Sequence, residues 1–195
     1  SVGILDADIN GSSIAKMTGV RGRPLETGET GVMPTAAARN LKVMSIDLFL
    51  QDDSMPVIWD APTQKDAYTW RGMMETAAIR EFLSDTEWGE LDFLFIDLPP
   101  GTDKLPNMLD LLPEISGTII VTIPSELSQF VVGKSIKVAK DLLRTPVIGL
   151  VENMSAYICS QCGHEEALFP GSIVEGLAEQ HDVPYLGRIP FDPSM

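Results

Sequence analysis

Short, nearly uninterrupted apolar runs alternate along this chain with longer stretches in which apolar residues recur every three or four positions. The runs are Val2 to Leu5, Leu41 to Ile46, Leu91 to Ile96, Gly117 to Ile123 and Val147 to Val151. Runs without polar alternation predict strands buried on both faces, as in a parallel sheet. The helical spacing predicts helices at about Ser12 to Thr18, Thr69 to Ser84, Asn107 to Leu112, Glu126 to Arg144 and Ser172 to His181. Pro146 stops the fourth of these before its strand. Residues 20–40 and 51–66 are rich in Gly, Pro and polar residues and are predicted loops. Tyr185 to Asp192 reads as a short strand running into a loop. Strands alternating with helices predict an α/β fold of three layers around a mostly parallel sheet.

The first run leads straight into an acidic, glycine-containing loop, Asp6-Ala-Asp8-Ile-Asn-Gly11. In such folds a loop of this kind follows a first strand, a phosphate loop and a helix, so those elements are expected upstream of Ser1. The closing helix is expected beyond Met195. The chain is therefore expected to be a single nucleotide-binding-type domain, 1–195, truncated at both ends, with a C-x-x-C loop around 155–166.

Composition narrows the function. Apolar residues make up 44% and charged residues 22%, ordinary for a soluble globular protein. No run approaches the roughly 18 apolar residues of a membrane span, and no signal-peptide pattern opens the chain. A cytoplasmic protein without a membrane partner is the expectation. The net charge of −14 argues against nonspecific nucleic-acid binding, which needs a basic surface to displace counterions. The only two cysteines, Cys159 and Cys162, do not make a secreted disulfide framework.

Two strand ends carry acids. Phe93-Leu-Phe-Ile-Asp97-Leu-Pro-Pro-Gly101-Thr places Asp97 at the carboxyl end of a strand, where ligands of open α/β sheets bind. In phosphate-binding NTPases an acid at this place orients the Mg²⁺ shell. Asp6 and Asp8 repeat the logic at the first strand: one could bond within the site, the other orient water or sense a γ-phosphate. The structural alternative is an Asx-turn with Ser12 or Ser13 as N-cap. Gly133-Lys134-Ser135 resembles the end of G-x-x-x-x-G-K-[ST], but position 128 is serine and the tripeptide lies in a helical pattern. A phosphate loop needs free backbone N–H groups at a helix start, so Lys134 and Lys137 read as a solvated face. Trp59, Trp70 and Trp88 are too widely spread for a stacking platform and read as packing residues. His181 reads as a helix-terminal surface residue.

Tyr157-Ile-Cys159-Ser-Gln-Cys162-Gly-His164 is a metal-knuckle sequence, in which a tight turn brings both thiolates to one side of a metal or cluster. Zn²⁺ or a cubane needs about four ligands. His164 could be a third for zinc, and a two-fold dimer supplies Cys₄ economically. A redox dithiol and a purely structural pair remain alternatives.

These segments resemble the Mrp-type (ApbC-like) iron–sulfur carrier ATPases, in the deviant-Walker P-loop class that also holds MinD-like and ParA-like proteins. The matching stretches are Leu5 to Ile14, Pro56 to Trp59, Trp70-Arg-Gly, Glu87 to Phe93, Ile96 to Thr102, Thr122 to Ser125, Gly149 to Met154, the C-x-x-C and Leu186 to Pro190. The C-x-x-C just after Val-Glu-Asn-Met marks the Mrp branch. The resemblance implies an ATP-dependent scaffold or carrier that assembles or transfers a [4Fe–4S] cluster to apoproteins. It implies that Asp8 positions the hydrolytic water, Asp6 supports that strand end and Asp97 serves Mg²⁺. Asn153 would read the adenine edge, helped by backbone from Pro190 to Asp192. Cys159 and Cys162 would bridge a [4Fe–4S] cluster across a homodimer, with Zn²⁺ an alternative occupant. The family's phosphate loop has no counterpart in the sequence, and Gly11-Ser12 stands where the family usually has Pro-Ser. A P-loop-less, non-enzymatic metal- or cluster-binding dimerisation module is therefore a second expectation. A MinD/ParA-like positioning ATPase is a third, disfavoured by the cysteines and the acidic surface.

Overall fold

The structure is a computed structural model that describes residues 1–50, 57, 64–171 and 174–192. The chain divides into two compact units, Ser1–Pro100 and Gly101–Met195.

The first unit holds β1 (Val2–Asp6), α1 (Ile14–Met17), β2 (Thr35–Ala38), β3 (Leu41–Met44), a 3₁₀ turn at Ile46–Leu48, α2 (Gln64–Ser84) and β4 (Phe93–Asp97). Its sheet runs β2-β3-β1-β4. β1 pairs in parallel with β3 and with β4, and β2 is antiparallel to β3. The core gathers Leu5, Val43 and Met44 from the central strands with Ala15, Val20, Leu48 and Phe82. Complete burial of each large side chain contributes about 1.5–3 kcal/mol.

The second unit holds α3 (Lys104–Leu111), β5 (Thr118–Thr122), α4 (Glu126–Lys137) continued by a π turn at Val138–Leu142, β6 (Val147–Ile158), β7 (Glu165–Ala167), α5 (Val174–Gln180) and β8 (Tyr185–Phe191). β6 pairs in parallel with β5 and β8 and antiparallel with β7. Val132 and Ile136 of α4 pack with Val174 and Ala178 of α5 around Leu150. Ser125 caps α4, its hydroxyl accepting from the Ser128 N–H at 3.2 Å.

The mostly parallel sheets match the apolar-run reading, and Gly133-Lys134-Ser135 lies inside α4 as expected. Three expectations change. β4 and β5 are not buried on both faces: Phe93 is 63% exposed, Phe95 50%, Ile119 44% and Val121 58%. Both are outer strands of their own sheets. Residues 20–40 are not all loop, because β2 lies among them. β6 does not stop at Val151 but runs on to Ile158. The expected loop over 51–66 falls almost wholly outside the described residues, except that α2 begins at Gln64. Trp59 and the Trp70 side chain are outside them too; Trp88 packs against the first core as expected.

Candidate functional site

In the first unit the acidic site is built on the carboxyl ends of β1 and β4. Asp6 pairs with Asp97 in the strand register, and the Ala7 N–H donates to the Asp97 carbonyl at 2.9 Å. Asp6 is wholly buried. One of its oxygens accepts from the backbone N–H of Ser13 (3.0 Å), that of Ile14 (3.1 Å) and the Ser45 hydroxyl (3.1 Å). The other accepts from the Asp8 N–H at 3.3 Å. Burial raises the Asp6 pKa above the usual carboxylate value, and these bonds, led by that from Ile14, offset part of the rise. The helix start therefore takes its acceptor from Asp6 rather than from its own cap: Ser13 occupies the N-cap position without a side-chain cap bond. Of the structural alternative, the Ser13 N-cap position holds and the capping bond does not.

Asp8 lies on the rim. Its Oδ1 accepts from the Gly11 N–H at 2.9 Å, closing the loop on itself. Asn10 of the same loop donates to Glu75 on α2, which Arg71 also holds at 3.0 Å. Asp97 stands at the exposed end of β4. Partial desolvation of its carboxyl, then the like charges of Asp6 and Asp8, raise its pKa. The raised pKa values of Asp6 and Asp97 reflect carboxylates held at neighbouring strand ends, the condition a cation relieves.

Ser45 and Glu75 went unnoticed in the sequence. Ser45 lies one residue beyond β3, whose register sets Met44 against Leu5, so the sheet delivers it to Asp6. Only that register could have revealed it.

In the second unit β6 carries Asn153, and Cys159 follows its last residue, Ile158. Asn153 pairs with Ile189 of β8, next to Pro190, and its Oδ1 accepts from the Met154 N–H at 2.9 Å. Tyr185 donates to Glu152 across the same strand pair at 3.0 Å. Its pKa is pushed up to about 12, first by desolvation and then by that bond. Asp192 follows β8 directly. The register sets Asn153 beside Ile189, the neighbour of Pro190, whereas Asp192 follows Phe191, which pairs with Tyr157 further along β6.

β6 and β7 form an antiparallel hairpin with the cysteines at its tip. Tyr157 faces Glu166, and Ile158 faces Glu165. The Cys159 N–H donates to the His164 carbonyl (2.9 Å) and the Gly163 N–H to the Cys159 carbonyl (2.8 Å), with Gly163 in the left-handed region at φ 71°. Backbone N–H groups of Gln161 and then Cys162 lower the Cys159 thiol pKa, favouring the thiolate that binds metals. Cys162 is exposed and Cys159 partly so; both are free thiols. The expected loop is thus a hairpin tip. Among the described residues no three His, Cys, Asp or Glu side chains gather as a metal site. His164 therefore does not complete one here, and the donor set fits half of a four-thiolate centre.

No described helix is long and apolar enough to cross a membrane.

Comparison with known proteins gives a consistent family. The family described as "ParA: NUBPL iron-transfer P-loop NTPase" matches residues 1–195. The iron–sulfur cluster carrier protein of Saccharolobus solfataricus is 42% identical over 195 residues, 100% of this chain and 62% of its own length. The carrier of the same name from Methanocaldococcus jannaschii is 44% identical over 192 residues, 98% of this chain and 62% of its length. The chain thus spans about 62% of these curated relatives. Among solved structures, the ADP complex of a nucleotide-binding protein from Archaeoglobus fulgidus, in which cobalt was found, superposes with a TM-score of 0.77 at 34% identity, covering 100% of this chain and 70% of that one. MinD in its complex with MinC from Aquifex aeolicus, at TM-score 0.55 and 15% identity over 99% of this chain and 70% of that one, shares the fold alone. With its strand-end acids, its cysteine hairpin and a family match along all 195 residues, this chain belongs to the NUBPL-type iron-transfer P-loop NTPases of the ParA group.

Proposed function

We propose that this chain carries an iron–sulfur cluster for delivery to apoproteins, as part of an ATP-dependent carrier. The observation that bears most weight is the cysteine tip: two thiols, one favoured as thiolate, presented in solvent on an ordered hairpin. Cargo must be reached by a recipient, and an exposed tip allows a partner's ligands to approach. Two thiolates per chain fit a [4Fe–4S] cluster shared by a homodimer, each copy supplying Cys159 and Cys162. Zn²⁺ suits the same donors. In the complete carrier, Asp97 would serve the magnesium shell, Asp8 would orient water, and Asp6 would hold the Asp8 loop. Asn153, with Pro190 and Asp192, would take the base. Magnesium with ATP would supply phosphoanhydride chemistry to drive loading or release.

Anaerobic reconstitution with iron and sulfide tests the reading. We expect a visible sulfide-to-iron band and one cluster per two chains. A reconstituted dimer without iron overturns it.

A further inference from the structure

The two thiols at the hairpin tip have a chemistry open to them that needs neither metal nor a second copy. The turn that carries them is closed at both ends. The Cys159 N–H donates to the His164 carbonyl, and the Gly163 N–H donates to the Cys159 carbonyl. Gly163 makes the turn in the left-handed region, at φ 71°. It stands in open space, with nothing but its chain neighbours within 4 Å of where a Cβ would lie. Inside the turn three donors converge on the Cys159 sulfur: the N–H groups of Gln161 and Cys162, and the Cys162 thiol itself. The two sulfurs are thus neighbours, joined by a hydrogen bond. Cys162 is exposed and Cys159 partly so, and both are free, so a small reagent reaches the pair. The chain has no other cysteine, so this is the one disulfide a single copy can form.

We propose that the closed turn holds Cys159 and Cys162 as a reversible dithiol–disulfide couple. It exchanges with a low-molecular-weight disulfide, R–S–S–R, and its oxidised form closes the tip to metal. The Cys159 thiolate attacks one sulfur of the reagent and displaces RS⁻. Cys162 gives its proton to that leaving group, attacks the Cys159 sulfur and displaces the second RS⁻. The cysteines lose two electrons and the reagent gains them, leaving RSH and RS⁻. The second step joins sulfurs that are already neighbours, so the mixed disulfide does not accumulate. Oxidation removes both thiolates, the form in which cysteine binds metal. This gate rests on the cysteines being metal ligands, as read above; the couple does not.

The test uses the whole chain, kept anaerobic, with hydroxyethyl disulfide as the reagent. Free thiols are counted after denaturation, and the product is identified by mass. We expect loss of both thiols, a single-chain product lighter by a pair of hydrogens, and full recovery with dithiothreitol. In Cys162→Ser the mixed disulfide should persist on Cys159. Gly163→Val puts a β-branched residue in the left-handed region and opens the turn. The mixed disulfide should persist there too, although both cysteines remain. Gly171→Val, strained in the same way at φ 83° but outside the hairpin, should close the ring as the unaltered chain does. Co²⁺ then reads the gate by its thiolate absorption bands, which should appear in the reduced chain, vanish on oxidation and return on reduction. An unaltered chain that stops at the mixed disulfide, or links two copies, overturns the couple. So does a Gly163→Val result no different from that of Gly171→Val. Cobalt bands that survive oxidation overturn the gate. Their absence from the reduced chain defeats the metal reading and the gate with it, while the thiol counts still decide the couple.

Discussion

Asp6 and Cys159 both stand where a strand of a mostly parallel sheet ends, yet their surroundings differ at every level. Asp6 is at the end of β1, which is flanked on both sides by paired strands, and four donors converge on its carboxylate. Cys159 lies past the end of a strand whose last residues pair with the three-residue antiparallel β7 and, at Tyr157, with β8, and it is partly exposed. The first arrangement spends burial and hydrogen bonds on fixing one geometry. The second leaves its ligands reachable and fixes only the turn between them. A group that must orient a reaction needs the former, and a group that must give up what it holds needs the latter.

The largest effect expected from breaking this contrast is at the tip. Cys159→Ala should abolish cluster or metal binding, since half of the ligands in a shared site would go, while urea unfolding of the first unit stays unchanged. Retained stoichiometric metal would refute the assignment. Next is Asp6→Ala, which strands three backbone N–H groups and the Ser45 hydroxyl in a buried place. At about 1–3 kcal/mol for an orphaned buried donor, with some rescued by water, a loss of about 3 kcal/mol is expected from denaturant titration. A loss below about 1 kcal/mol would mean that Asp6 is not the brace described here.

A subtler difference concerns pH. The pKa values of Asp6 and Asp97 are raised in the folded chain, so the native state binds more protons than the unfolded one between about pH 4, the unfolded value, and the raised values. Stability should therefore fall as pH rises through that window and level off above it. Asp97→Asn should raise stability at neutral pH, by relieving the crowding of like charges, and make little difference below pH ~4. Unfolding midpoints measured across that range decide it, and a destabilised Asp97→Asn at neutral pH contradicts the account. Cys159 behaves oppositely, since its lowered pKa should allow alkylation at a lower pH than a free thiol, which titrates near about 8.5. The smallest effect is at Arg188. Its ion pair with Glu165 is exposed on both sides, so Arg188→Ala should cost about 0.5 kcal/mol or less, visible only as faster amide exchange in β7.

The same contrast explains what could be read from the residues alone. β1, with its acids, was legible because a both-face-buried strand writes itself as an apolar run, and the strand end then supplies Asp6 and Asp8. The cysteine pair was legible as chemistry, since C-x-x-C-Gly encodes its own turn. The hairpin beneath it was not. β7 is Glu-Glu-Ala, residues depleted in strands, and it exists because β6 offers it an edge. The extension of β6 through Glu152-Asn153-Met154 breaks the apolar run, so its local sequence reads as a loop. β2, at Thr35–Ala38, is alanine-rich and likewise owes its conformation to β3. The Ser45 brace belongs to the register between two strands separated by more than 30 residues, and no local pattern encodes such a partnership.

One further consequence belongs to colloid behaviour rather than to chemistry. β4 and β5 each show an outer edge with large apolar side chains in the open, the feature that folded proteins usually blunt to avoid pairing with their neighbours. The net charge of −14 opposes such edge-to-edge pairing, and its reach is set by salt: roughly 30 Å at 0.01 M but only about 3 Å at 1 M. The chain should therefore stay dispersed in dilute buffer and begin to self-associate as salt is added, which light scattering along a salt series would record.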